Sequence, residues 1–214
     1  MTYPLDIHTH LLPLHPSDAI VSVSPADFRS VEGGCYSVGI HPWHLPESLA
    51  AVQSQLDLLH CCVQHPQVLA IGEAGIDKLV AVSPEQQASI FEVQAHMAEE
   101  VGKPVVIHAV KAAEELLRSH RRLNPSVAWI IHGFRGKASV AQMYLQKGFY
   151  LSFGERFQPE AVAVVPSHRL FVETDESDAG IVPICRKIAA VRGVSEDDLY
   201  ETLRTNVSTL FFRG

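Results

Sequence analysis

Within the first ten residues, Asp6-Ile7-His8-Thr9-His10 sets a carboxylate and two imidazoles at alternate positions. Successive side chains of an extended strand point to opposite faces, so Asp6, His8 and His10 share one side and Ile7 and Thr9 the other. That face is a poor hydrophobic surface and a good cradle for a metal ion. A solvated surface strand is the plain alternative, because His-x-His alone is a weak motif. What decides between them is whether the rest of the chain supplies further ligands.

Five more polar residues end apolar runs: His41 after Val38-Gly39-Ile40, Glu73 after Ala70-Ile71-Gly72, His108 after Val105-Val106-Ile107, His132 after Ile130-Ile131, and Asp175 after Phe171-Val172-Glu173-Thr174. A carboxylate or imidazole at the end of a buried strand needs a partner, and a metal ion is an economical one. Four imidazoles (His8, His10, His108, His132) with two carboxylates (Glu73, Asp175) suit Zn or Mn, and the carboxylates also admit Mg. Six ligands exceed what one catalytic zinc with an open position uses. A pair of ions about 3.5–4 Å apart, sharing a carboxylate, uses them better.

The elements that must bring these residues together follow from periodicity and caps. Strands are expected at Asp6–His10, Ala19–Val23, Cys35–Ile40, Val68–Ile71, Pro104–Ile107, Val127–Ile131, Phe149–Phe153 and Leu170–Thr174. Helices are expected from Pro46 to about Val63, from Ser83 (N-cap, with Pro84 at N1 and Gln86 at N3) to Gly102, through Glu114–Ser119, and from Lys137 to Lys147. Two more are expected, around Val182–Val191 and from Ser195 onward. Eight strands mostly alternating with helices predict a parallel sheet, and a closed (β/α)8 TIM-type barrel is the simplest solution, with reduced early βα units. A doubly wound open sheet is the alternative, but only a barrel brings so many strand ends together.

With 214 residues, 47% hydrophobic and 19% charged, the chain has enough apolar material for one substantial core, and residues 1–214 read as a single domain. No apolar run approaches the roughly 20 residues that span a bilayer. The opening Met1-Thr2-Tyr3-Pro4 lacks the basic and apolar regions of a leader, and Cys35, Cys61, Cys62 and Cys185 form no C-x-x-C pair. A cytoplasmic protein with reduced structural thiols is expected. A formal charge of −7 argues against non-specific duplex binding through a basic face, but not against a nuclease whose metals supply local positive charge. Twelve histidines are many for this length.

Taken in order, Asp6-Ile7-His8-Thr9-His10, Gly39-Ile40-His41-Pro42, Ile71-Gly72-Glu73-Ala74-Gly75-Ile76-Asp77, Val106-Ile107-His108, Ile131-His132-Gly133-Phe134-Arg135-Gly136 and Glu173-Thr174-Asp175 resemble the signature blocks of the TatD-like metal-dependent hydrolases. Asn206 with Leu210-Phe211 resembles the family's terminal block. The resemblance covers the whole chain and implies a TIM barrel and a divalent-metal hydrolase, of which deoxyribonucleases are the best-known members. It further implies that His8, His10, Glu73 and Asp175 hold one ion and Glu73, His108 and His132 a second, with Glu73 shared. The chain departs from the family pattern in its short early units and at Lys78, where an aromatic is common. It departs again at Ala109-Val110-Lys111, in place of Ser/Cys-Arg, and at Glu176-Ser177-Asp178, in place of Ser-Pro-Tyr. The metal shell is intact, whereas the substrate-facing residues are reassigned.

On this reading Asp175 is the general base, with Glu73 beside it, and the substrate is DNA or a small phosphoester. Arg135 on a barrel-top loop can fork onto a phosphate, and Lys111, at the third position of a helix, and Lys78 can act as point charges. Trp43 can stack on a base or cap the cleft, and the leaving group can take its proton from water or, as the second choice, from His41. Plainer roles stand beside each of these: a surface ion pair for Arg135, solvation for the lysines, packing for Trp43. Asp6, in phase with His8, is expected to orient an imidazole. Asn206 lies on the apolar stripe of the last helix and is expected to tie that helix back to a strand or loop. A same-fold hydrolase of a phosphomonoester, amide or lactone is the enzymatic alternative. A non-catalytic scaffold would lack a ligand, and none is missing. No membrane or protein partner is implied.

Overall fold

Ser83 begins its helix as its sequence dictates: the hydroxyl accepts from the Gln86 N–H at 3.2 Å, Pro84 occupies the first turn, and Gly102 ends α2 (Pro84–Val101) in a left-handed conformation. Ser48 and Ser195 cap α1 (Leu49–Cys62) and α7 (Glu196–Phe211) in the same way. The structure is a computed structural model that describes residues 3–212. Its eight strands are β1 (Asp6–Thr9), β2 (Ala19–Val23), β3 (Cys35–Val38), β4 (Val68–Asp77), β5 (Val105–Val110), β6 (Trp129–Ile131), β7 (Tyr150–Phe153) and β8 (Leu170–Val172). They follow one another in chain order as a closed parallel barrel, which excludes the open sheet. The remaining helices are α3 (Ala113–Leu123), α4 (Ala138–Gln146), α5 (Pro159–Val164) and α6 (Ile181–Arg192). No helix lies between β1 and β3, so the early βα units are indeed reduced. The short α5, opened by Pro159, was not expected.

Three strands differ from expectation for identifiable reasons. β3 stops at Val38 because the Gln94 side chain takes over both backbone groups of Ile40, accepting from its N–H at 2.8 Å and donating to its carbonyl at 3.2 Å. β4 runs on through Gly72-Glu73 to Asp77, and β5 through His108 to Val110. The glycines of β4 do not stop it. Gly75 lies opposite His108 in the register, and a Cβ there would strike the His108 carbonyl oxygen, so glycine is what lets the two strands meet.

By packing, the chain forms two compact units. The first joins the N-terminal stretch, through Val21, to the chain from Ile130 onward. Its core holds Ile7, Leu151, Phe153, Phe171, Ile184, Ile188 and Leu203. Here Asn206 of α7 donates to the carbonyls of Ser167 (2.7 Å) and Leu170 (2.9 Å), the tie expected of it. The second unit, Ser22–Trp129, buries Val38, Leu59, Ile71, Phe91, Ile107, Leu116 and Trp129. Phe91 and Trp129 meet edge to face with centroids 5.0 Å apart. All four cysteines are free thiols, and among the described residues no helix is long and apolar enough to cross a membrane.

In the second unit Glu99 holds the approach to β6. One oxygen accepts from the N–H groups of Ser126 (2.8 Å) and Val127 (3.0 Å), and the other from the Ser126 hydroxyl (2.5 Å). Burial pushes this carboxyl up, but the bonds outweigh it and hold it below its ordinary 4.5. A depressed carboxyl contributes stability that is present above the unfolded value and lost as pH falls through the folded one. Glu99→Gln should therefore cost about 1–2 kcal/mol at neutral pH. Urea melts should show that deficit shrinking below the ordinary value of 4.5.

Candidate metal centre

In the first unit, the β1 segment and Asp175, three residues past the end of β8, are zipped together by their backbones. The Asp175 N–H donates to the His8 carbonyl at 2.9 Å, and the His10 N–H (3.1 Å) and Thr9 hydroxyl (3.3 Å) donate to the Asp175 carbonyl. Asp175 takes a left-handed conformation, φ 56°, which a non-glycine residue adopts only when its surroundings insist on it. The result is that His8 Nε2 and His10 Nε2 each lie 3.7 Å from Asp175 Oδ1. His8 is fully buried, its ring 4.2 Å from that of His132, and one donor atom from each of His8, His132 and Asp175 falls within 4.8 Å of the others.

His132 is held in turn by Glu173. The fully buried Glu173 carboxylate sits 3.2 Å from His132 Nδ1 and accepts from the Gly133 N–H at 2.5 Å. Burial pushes this carboxyl up, yet the charge and bond of His132 outweigh it and hold it low. With Nδ1 committed, Nε2 is the atom His132 has to offer a ligand. Asp6 does something else. Its buried carboxylate accepts from the Thr174 N–H (3.1 Å), the Thr174 hydroxyl (2.6 Å) and the His8 backbone N–H (3.2 Å). It ties the backbone of β1 to the end of β8 instead of orienting an imidazole, and burial pushes it up to about 7 despite those donors.

In the second unit, Glu73 Oε1 lies 3.1 Å from His41 Nε2 and 2.5 Å from His108 Nδ1. These three residues also bring their donor atoms within 4.8 Å of one another. His41, expected to face a substrate, is brought against the candidate ligands Glu73 and His108. It caps the 3-10 turn Pro42–His44, its Nδ1 accepting from the Trp43 N–H at 3.1 Å, which turns Nε2 toward Glu73. Burial holds this imidazole below its ordinary value, with Glu73 opposing. On the far side of the His108 ring, Asp77 Oδ2 lies 3.3 Å from Nε2 and accepts from the Trp43 indole N–H at 2.7 Å. Burial pushes the Asp77 carboxyl up, but Trp43, the Leu79 N–H and His108 outweigh it and hold it low.

The other substrate-side residues are more peripheral. Lys78 is paired with Glu115 at 2.6 Å. Lys111 is not the third residue of a helix; it sits in a bend with φ 54° ahead of α3. Arg135 is exposed, and its carbonyl accepts from Gln158 at 3.0 Å. Trp43 is 59% exposed. Glu173 and Asp77 escaped the sequence reading, although each is in strand phase with a carboxylate that did not: Glu173 with Asp175, and Asp77 with Glu73.

Imidazoles set against carboxylates at 2.5–3.7 Å, most of them buried, are a donor set that fits divalent cations. A closed parallel barrel bearing such sets within and just beyond its strands is the architecture of a metal-dependent hydrolase of TIM-barrel type. The chain belongs to the TatD-related DNase family, whose sequence model matches residues 27–212. It is 32% identical over 142 residues to a protein of Bacillus subtilis named uncharacterized metal-dependent hydrolase YabD, a match covering 62% of this chain and 56% of that one. It is 29% identical over 206 residues to the 3'-5' ssDNA/RNA exonuclease TatD of Erwinia amylovora, covering 83% and 78%. The crystal structure of YJJV, a TatD homologue from Escherichia coli K12, shares the fold: TM-score 0.80 at 19% identity over 99% of this chain and 98% of that one.

Asp6→Ala removes three donors' partner from the seam between β1 and β8. Chemical denaturation should show a loss of about 3 kcal/mol. Thr174→Ser, which keeps both bonds to Asp6, should cost under half as much.

Proposed function

We propose that this chain is a divalent-metal-dependent phosphodiesterase acting on nucleic acid, most nearly single strands or ends. The observation that carries the reading is the pair of imidazole–carboxylate clusters, His8–His10–His132–Asp175 and His41–Glu73–His108, on strands of one closed barrel. Family membership supports a hydrolase, and the name of the Erwinia amylovora relative supports single-stranded DNA or RNA as substrate. In this reading His8, His10, Asp175 and Glu73 hold one ion of the Zn, Mn or Mg kind. Glu73, His108 and His132 hold a second, with Glu73 shared as the family resemblance implies. His41 joins the second set on the strength of its 3.1 Å approach to Glu73. Residues 1–214 act as one hydrolase domain, in the cytoplasm.

Divalent ions supply Lewis acidity and lower the pKa of water to about 7. The protein's own groups do the rest. Asp175, a quarter exposed and backed by two imidazoles, takes the proton of the attacking water. Glu173 keeps the His132 ring from turning, and Asp6 keeps Asp175 and His8 in register. Arg135 and Lys111 meet the outlying phosphate charge.

The test is an assay of protein supplied with Mn, Zn or Mg against short single-stranded oligonucleotides, a generic phosphodiester and a lactone. Hydrolysis of the phosphodiesters is expected, with kcat reduced about 100- to 10,000-fold in Asp175→Asn. Glu73→Ala should abolish both activity and the rise in melting temperature that the added ion brings to chelated protein. Undiminished turnover in both variants, or cleavage of the lactone alone, would refute the proposal.

A further inference from the structure

Asp77 is bolted in place from several sides. Its backbone N–H donates to Gln87 Oε1 at 2.7 Å, and the Gln87 amide donates back to its carbonyl at 2.9 Å. Its Oδ1 accepts from the Leu79 N–H at 2.8 Å. Gln87 is almost completely buried, and Asp77 is 3% exposed. The remaining oxygen, Oδ2, faces two ring nitrogens: Nε2 of His108 and the N–H of Trp43. A single rigid carboxylate oxygen therefore stands behind both a ring of the candidate metal centre and the most exposed aromatic near it.

Each contact has a chemical consequence. To ligate through Nδ1, the nitrogen 2.5 Å from Glu73, His108 must carry its proton on Nε2, and there the Asp77 carboxylate, an acceptor only when ionised, stands 3.3 Å away to receive it. Trp43 leaves a broad apolar ring in water while its N–H is held at 2.7 Å and its backbone N–H is held by His41. Its ring meets those of His41 and His108 edge-on, with centroids 5.0 and 5.9 Å away. An indole fixed at two points with its surface free is a stacking platform, with the ordering cost of the side chain already met by the fold.

We propose that Asp77 is a positioning residue that sets the tautomer of His108 and, through the same oxygen, fixes Trp43 as the platform on which a nucleobase of the substrate stacks beside the His41–Glu73–His108 cluster. This rests on the nucleic-acid reading above for the identity of the stacked ring, but not for the hold on His108. The class of substrate is thereby narrowed to phosphodiesters carrying an unpaired flat base next to the bond that breaks.

Two measurements test it without relying on turnover. The first is Mn2+ titration of the chelated protein. Asp77→Asn can offer an N–H to Nε2 and so permit the opposite tautomer, with its proton at Nδ1. Mn2+ affinity should fall about 10- to 100-fold, while Trp43→Phe keeps wild-type affinity. The second uses Trp43 fluorescence, isolated as wild type minus Trp43→Phe because the other tryptophan, Trp129, is buried. In the presence of Mn2+, a phosphorothioate tetrathymidylate should quench it, and the same backbone with abasic residues should not. Trp43→Ala should bind the base-bearing probe about 5- to 100-fold more weakly and the abasic one unchanged. Equal Mn2+ affinity in wild type and folded Asp77→Asn would overturn the positioning role. Should Asp77→Asn fail to fold, imidazole nitrogen shifts in the Zn2+-loaded wild-type protein decide the same point, a proton on Nδ1 of His108 overturning it. Quenching absent from a protein that does cleave oligonucleotides would overturn the platform. A protein that cleaves none would instead refute the nucleic-acid reading, and the Mn2+ titration would still judge Asp77.

Discussion

Anions taken out of water next to imidazoles are the constraint on which this molecule depends. A buried carboxylate is costly unless donors surround it, and here three of them are each met by a backbone amide and a second group fixed in the same place. Glu173 has Gly133 and His132, Asp77 has Leu79, Trp43 and His108, and Asp6 has His8 and Thr174. The backbone donors keep the charge in position, and the ring donors are positioned by it. Glu173 thus holds the His132 ring and Asp77 the His108 ring, while Asp6 holds backbone, and the two rings are left little rotational freedom of their own.

The backbone makes its own contribution to the same end. Asp175 is held in a left-handed conformation, at an expected cost on the order of 1 kcal/mol or more, by bonds to both neighbours of Thr9 in β1 and to the Thr9 hydroxyl. Because those bonds cross from one end of the chain to the other, the first ten residues set the aim of a carboxylate 165 positions later. The Asp6–Thr174 clamp reinforces the same seam.

Much of this was legible beforehand, and for physical reasons. Apolar runs ending in a single polar residue marked β5 and β6, serines marked the starts of α2 and α7 and a glycine the end of α2, and the position of Asn206 on an apolar stripe demanded the buried bonds it makes. The misses share a cause. Gly72 and Gly75 look like stops when read locally, but they are there because a neighbouring strand comes too close for a Cβ. Reading β4 as ended hid Asp77. The Asp6 carboxylate was in phase with His8, yet its partner was chosen by a strand far along the chain. His41 was turned toward Glu73 by its own capping bond to Trp43, a rotamer decision that residue type alone does not reveal.

The unusual length of β4 has a consequence for how this site can change over generations. His108 is gripped on one side by Glu73 and on the other by Asp77, both from the same strand and four residues apart. An even spacing keeps both carboxylates on one face, and a single inserted or deleted residue between them would send one to the opposite face. Point replacements along Ala74-Gly75-Ile76 are limited by space, but one-residue changes of length are forbidden by parity. The segment therefore acts as a ruler, open to divergence in composition only where neighbouring strands leave room, and closed to odd steps in size.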